Sequence, residues 1–110
     1  MDGHKDGVDV FYLGLGSQIR HFRDKRRMTQ QTLGEKVGLT RTSLTNIEKG
    51  RQKVLAHTLS QIAASLGVST DELIPHSENE LEKVLRQGHF SEGERQLIKT
   101  ALQPIKRRKP

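Results

Sequence analysis

The chain has 110 residues, a length that fits one domain with a single modest core. It contains no cysteine, which excludes disulfides, thiolate metal sites and cysteine nucleophiles. The net charge of +6 and the pI near 10.0 favour a polyanionic partner, because each Lys or Arg docked on a phosphate releases a condensed counterion.

The N-terminal residues are polar, and no apolar run reaches the roughly 20 residues that a membrane-spanning helix needs. The start of the chain also lacks the basic region and apolar stretch of a signal peptide. We therefore expect a cytoplasmic protein without a membrane partner. Residues 1–12, which show no periodicity, are predicted to form a flexible lead.

The first predicted helix begins near Leu15, where apolar residues start to recur at helical spacing. Leu15, Ile19 and Phe22 are separated by four and three residues, which is one face of an amphipathic helix running to about Arg27. The opposite face is basic.

Two short helices should follow. Thr29 and Thr40 are good N-cap residues, while Gly38 and Gly50 stand where each helix must end. The residues spaced to meet in the angle between these helices are Leu33, Val37, Leu44 and Ile47.

A fourth helix has the clearest apolar pattern and ends at Gly67. Its predicted inward residues are Leu55, Leu59, Ile62, Ala63 and Leu66. Ser69 and Glu72 have the spacing of a capping box, so a short fifth helix should run to Pro75.

Residues 76–105 are predicted to form a helical C-terminal segment. Ser91 and Glu94 make a second capping box, and Pro104 should end the last helix. Residues 106–110 are predicted to be a basic tail. The apolar residues of this segment are Leu81, Val84, Leu85, Phe90, Leu97, Ile98 and Leu102.

The segment TQQTLGEKVGLTRTSLTNIEKGR, residues 29–51, has the pattern of a helix-turn-helix and resembles that of the phage-repressor and Cro-like (xenobiotic-response-element) family. The similarity runs from Leu15 to Ile74, over half the chain. It implies an all-α fold, with a five-helix lambda-repressor-like DNA-binding domain over residues 13–75. Gly34 stands where the family usually has Ala, which should cost up to about 1 kcal/mol of helix stability but leave the geometry intact.

The resemblance also implies roles for individual residues. The third helix would lie in the major groove of double-stranded DNA, with Arg41, Thr42 and Asn46 against the bases. Arg23 and Glu48 match a charged pair that ties the first helix to the third. The residues expected to hold phosphates are Gln30, Thr40, Ser43, Lys49 and Arg51.

Elementary chemistry supports several of these roles independently. Arg is the commonest bidentate partner of guanine, and Asn pairs in the same way with adenine. Thr42 offers either a methyl group or a hydroxyl. Thr40 and Ser43 lie beside the exposed amides of a helix start, which favours contact with phosphate.

Other residue types give no sign of catalysis. The five histidines lack ligand spacing, and the Gly-x-Gly at Gly14 and Gly16 has Ile19 in place of the third glycine of a dinucleotide fingerprint. We therefore expect no enzyme, no metal and no cofactor.

The C-terminal segment has too many apolar residues for a spacer. We expect residues 80–103 to form a homodimer, while the alternative is that they pack back on the DNA-binding domain. The leading hypothesis is a dimeric repressor at a palindromic operator. Alternatives are an antitoxin or protease-controlled protein that grips a toxin or regulatory protease, and an activator of the restriction–modification controller type.

Overall fold

The computed structural model describes residues 9–88 and 90–107, with residues 101–107 described by their backbone alone. Within these residues the chain is all-helical, and none of the helices is both long and apolar enough to span a membrane. The helices are α1 (Val10–Lys25), α2 (Gln30–Val37), α3 (Arg41–Glu48), α4 (Ala56–Leu66), α5 (Thr70–Leu73), α6 (Glu78–Gln87) and α7 (Glu92–Arg107).

Helix α1 begins before the predicted Leu15. Asp9 caps it by accepting a hydrogen bond of 2.9 Å from the amide of Phe11, so Val10 to Gly14 are already helical. Gly14 and Gly16 weaken the helical pattern of the sequence, but both are buried contact positions. A Cβ at Gly16 would overlap the carbonyl oxygens of Ile47 and Glu48, so glycine lets α1 approach the end of α3 closely.

The main core lies between α1 and the next four helices. The predicted inward residues Leu33, Leu44 and Ile47 are at most 2% exposed, and Val37 is 9% exposed. Together with Ile19 and the apolar stripe of α4, they form one continuous cluster. This burial confirms the predicted angle between α2 and α3.

The turn between α2 and α3 depends on Gly38, which has a left-handed φ of 74°. Just after Gly38, the amide of Leu39 donates a 2.8 Å hydrogen bond back to the carbonyl oxygen of Gly34. A Cβ at Gly34 would lie 2.6 Å from the carbonyl oxygen of Leu39, so the alanine usual in the family would force this turn to shift. The close approach of the turn therefore explains why this chain has glycine at position 34, where the family usually has alanine.

Helix α4 differs from its prediction at Leu55, which is 76% exposed rather than buried. Leu55 is the extended N-cap residue and precedes the first turn, so its side chain does not join the apolar stripe. Its side chain also makes no capping hydrogen bond. The predicted capping box of α5 is confirmed by reciprocal bonds between Ser69 and Glu72.

The C-terminal segment packs against α1, as in the alternative considered above. Leu81 and Leu85 of α6 and Ile98 of α7 form a second buried cluster with Leu13. Helix α6 packs against α1, and α7 packs against α6.

The prediction that Pro104 ends the last helix is wrong, since α7 continues to Arg107. Inside a helix, proline removes one hydrogen bond and crowds the carbonyl group four residues earlier, here that of Thr100, but these costs do not prevent the following residues from continuing the helix. Residues 10–12 of the predicted flexible lead belong to α1, and residues 106–107 of the predicted tail belong to α7. Residues 1–8 of the lead and 108–110 of the tail lie outside the described residues.

Candidate nucleic-acid interface

Helix α3 presents one polar face away from the core. Leu44, Ile47 and Glu48 are buried on its inner side. Because residues three and four apart share a helix face, Thr42 and Asn46 fall together on the opposite side. Side-chain caps fix where α2 and α3 begin: Thr29 accepts from the amide of Thr32 and Thr40 accepts from the amide of Ser43, both at 3.0 Å.

The three residues predicted to contact bases lie on the outer part of α3. Arg41 and Thr42 are exposed, and Asn46 is half-buried. Their side chains make no hydrogen bond or ion pair with the described part of the chain, so their donors and acceptors are available to a ligand.

Four of the five residues predicted to hold phosphates lie at the two ends of α3, and the fifth, Gln30, begins α2. Thr40 and Ser43 lie at the N-terminal end, where the hydroxyl of Thr40 is already used as the helix cap. Lys49 and Arg51 are exposed at the C-terminal end. This separation matches the need to hold a groove on both sides of a helix that enters it.

The Arg23 and Glu48 side chains meet beneath α3. The Nε atom of Arg23 donates to Oε2 of Glu48 at 2.6 Å, and its Nη2 atom donates to Oε1 at 3.1 Å. The remaining guanidinium nitrogen donates to the carbonyl oxygen of Met28 at 2.7 Å, so Arg23 joins α1, α3 and the start of α2. Both residues are less than a tenth exposed.

The electrostatic environment holds Arg23 in its charged form. The hydrogen bond to Glu48, then the charges of Glu48 and Asp24, raise the pKa of Arg23 above its ordinary value against the opposing effect of burial. Removing Arg23 would leave the buried carboxylate of Glu48 without its ion-pair partner, which is strongly destabilising, whereas removing Glu48 would leave Arg23 with Asp24 at 3.2 Å.

Gln30 has internal partners for both ends of its side-chain amide. Its Nε2 atom donates to Oε1 of Glu48 at 3.0 Å, and its Oε1 atom accepts from the hydroxyl of Thr45 at 3.0 Å. The side chain therefore braces α2 against α3, and any contact with phosphate would use its remaining N–H or the helix amides.

Thr45 is the functional candidate that the sequence analysis missed. It is half-buried on α3, one turn after Arg41 and beside Asn46. The sequence could have indicated Thr45 by its position, because a helical residue four places after Arg41 lies on nearly the same face of the helix.

Comparison with known proteins supports a DNA-binding role for this interface. A family model described as helix-turn-helix matches residues 19–73, which include α2, the turn and α3. The immunity repressor protein of Bacillus phage phi105 is 33% identical over 60 residues, which are 54% of this chain. The chain spans only 42% of that relative's length.

Two solved structures have the same helical arrangement. The restriction-modification controller protein C.AhdI of Aeromonas hydrophila is 25% identical, with a TM-score of 0.56 over 57% of this chain and 96% of that chain. The clp gene regulator ClgR of C. glutamicum is 26% identical, with a TM-score of 0.59 over 73% of this chain and 97% of that chain. The fold is therefore the all-α, lambda-repressor-like fold of transcription regulators.

Proposed function

We propose a function for this chain, which belongs to the helix-turn-helix family of DNA-binding transcriptional regulators. The proposed function is that of a cytoplasmic repressor that binds a palindromic operator as a dimer. The observation that carries the proposal is the fixed orientation of α3. Three helices are tied together by Arg23, Glu48 and Gln30, while Arg41, Thr42 and Asn46 remain available on the outer face.

A rigid α3 favours sequence-specific binding over general attraction to phosphate. A helix that is already held in place costs less conformational entropy on binding than one that must be ordered on the DNA, so more of the interaction energy of its base contacts is retained. Arg41 offers a bidentate donor for guanine, and Asn46 offers a donor and an acceptor for adenine. Lys49 and Arg51 supply attraction that is independent of sequence.

Dimerisation would supply the contacts that one copy lacks. The eight residues of α3 span about 12 Å, which covers only a few base pairs. A twofold dimer places two such helices about 34 Å apart, one turn of B-DNA. Because Leu81 and Leu85 are used within the chain, we assign the subunit contact within residues 80–103 mainly to α7.

Selection of binding sites from random duplex DNA, followed by fluorescence anisotropy on the selected site, tests the proposal. We expect an inverted repeat with half-sites one helical turn apart, bound at physiological salt at least about a thousandfold more tightly than random duplex. Equal affinity for the selected and random duplexes would exclude sequence-specific regulation.

An activator of the restriction–modification controller type is the second candidate. It is favoured by the similarity to C.AhdI, which covers nearly the whole of that protein. Activation and repression differ in where the operator lies relative to the polymerase. Mapping the selected site against the promoter, followed by transcription in vitro, separates these two functions.

A further inference from the structure

Thr45 completes a series of hydrogen bonds that starts at the buried Arg23 and ends at a half-buried position of α3, next to Asn46. Arg23 donates twice to Glu48, Glu48 accepts from Gln30 at 3.0 Å, and Gln30 accepts from Thr45 at 3.0 Å. These hydrogen bonds therefore connect the buried carboxylate of Glu48 to the hydroxyl of Thr45, which lies beside the residues predicted to contact bases.

The direction of each hydrogen bond in this series follows from the chemistry of its members. A carboxylate that is paired with arginine only accepts, so the NH₂ group of the Gln30 amide must face Glu48. The carbonyl oxygen of Gln30 must then face Thr45. Since that oxygen also only accepts, the hydroxyl of Thr45 has to donate its single hydrogen to Gln30.

A hydroxyl whose hydrogen is already used offers only its lone pairs to a further partner. A free threonine hydroxyl accepts from one base and donates to another, so it discriminates poorly. The hydroxyl of Thr45 is restricted by Gln30 and Glu48 to accepting. In the major groove, the donors it could accept from are the exocyclic amino groups of adenine and cytosine.

We propose that Thr45 is a specificity-determining residue that selects a base with an exocyclic amino group at one position of each half-site. The inference rests on the proposed reading of the major groove by α3. Thr45 would act beside Arg41, Thr42 and Asn46 as a further base-contacting residue. Its hydroxyl can only accept a hydrogen bond from a base, because its own hydrogen is donated to Gln30. The Arg23–Glu48 pair thus has a role in specificity as well as in folding.

Two substitutions distinguish the effect of the Thr45 hydroxyl from the effect of the side chain's volume. Thr45→Val has nearly the same volume and keeps a methyl group but has no hydroxyl, whereas Thr45→Ser keeps the hydroxyl. Site selection with Thr45→Val should lose the adenine or cytosine preference at one position of the half-site and keep the other positions. Thr45→Ser should retain the wild-type preference there.

Base analogues measure the contact directly. Anisotropy is recorded with the selected duplex and with one in which the amino group at that base is replaced by hydrogen. We expect the replacement to weaken wild-type binding by about fivefold to tenfold, corresponding to roughly 1 kcal/mol, and to leave Thr45→Val binding unchanged. Thermal unfolding of each variant checks that the fold is retained.

The outcomes distinguish this inference from the proposed function. If wild-type protein selects no sequence, the proposed function itself fails. If wild-type protein selects a site but Thr45→Val selects the same base at every position, the role of Thr45 is excluded. A uniform loss of affinity for all duplexes in Thr45→Val would also overturn it, because that result means Thr45 acts only through bracing.

Discussion

At the scale of single residues, Arg41 and Lys49 carry the same charge at opposite ends of α3 but should act differently. Arg41→Ala should relax specificity at one base pair of the half-site, at a cost of about 1–3 kcal/mol there.

Lys49→Ala should weaken binding to all sequences similarly and reduce the slope of log affinity against log salt by about 1 per half-site. Anisotropy titrations over a salt series, on the selected operator and on single-base variants, measure both effects.

Lys83→Ala provides the matched control, because Lys83 is exposed on α6 and is not among the residues assigned to DNA. It should change neither specificity nor the salt slope beyond the small effect of net charge. An equal loss for all sequences in Arg41→Ala would contradict its assignment as a base reader and place it among the phosphate contacts.

Residue roles were predictable from the sequence where the partners are close along the chain. Thr29 and Thr40 cap amides only three residues on, so their type and position suffice to predict the bond. The partners of Gln30 are 15 and 18 residues away, and no local pattern shows that its amide faces Thr45 and Glu48. The hydrogen-bonding direction of Thr45 therefore required the structure.

At the scale of elements, α4 begins with a poor N-cap. Leu55 has no side-chain acceptor and is 76% exposed, so replacing it loses little packing. Leu55→Ser should stabilise the protein by about 1 kcal/mol through a hydrogen bond to a free amide of the first turn. Thermal unfolding should show a rise of several degrees, about 4 °C or more for a chain of this size.

Leu55→Ala is the control for this prediction, since it removes the exposed apolar side chain without adding an acceptor. It should leave the melting temperature nearly unchanged. An equal rise in both variants would assign the effect to lost apolar exposure rather than to capping.

The periodicity of the sequence predicted elements well but located their ends less well. Burial at 3.6-residue spacing identifies α2 and α3, because their apolar residues face one core. Leu55 has the same spacing as the stripe of α4 but precedes the first turn, so periodicity alone assigns it wrongly. The true start of α1 depends on the cap at Asp9, which lies ahead of the amphipathic pattern.

At the scale of the whole molecule, α1 is the element that joins both parts of the chain. Gly16 allows close contact with the end of α3, and Gly14 lies under Leu81 of α6. Apolar spacing predicts that Leu81 and Leu85 are buried but does not say against what, because packing back and self-association bury the same residues. The arrangement of the C-terminal helices could therefore be narrowed to two alternatives, and the structure places α6 on α1.

This arrangement leaves α7 to carry the proposed subunit contact, and Leu97 is the residue that tests it. Leu97 is half-buried on α7, next to Ile98, whose side chain is used in the cluster with Leu13. Leu97→Glu should raise the dimer dissociation constant by roughly tenfold or more, because an unpaired charge at an apolar contact costs more than about 1.4 kcal/mol. Sedimentation equilibrium measures the dimer, and anisotropy compares the inverted repeat with a single half-site.

Thr100→Glu introduces the same charge at an exposed position of the same helix and should leave the dimer intact. In Leu97→Glu, affinity for the inverted repeat should fall while affinity for the isolated half-site stays unchanged, because α7 is not among the helices that pack extensively against α3. If the dimer persists in Leu97→Glu with an unchanged melting temperature, the subunit contact lies elsewhere. Retained half-site binding is the decisive observation, since it separates a lost interface from a lost fold.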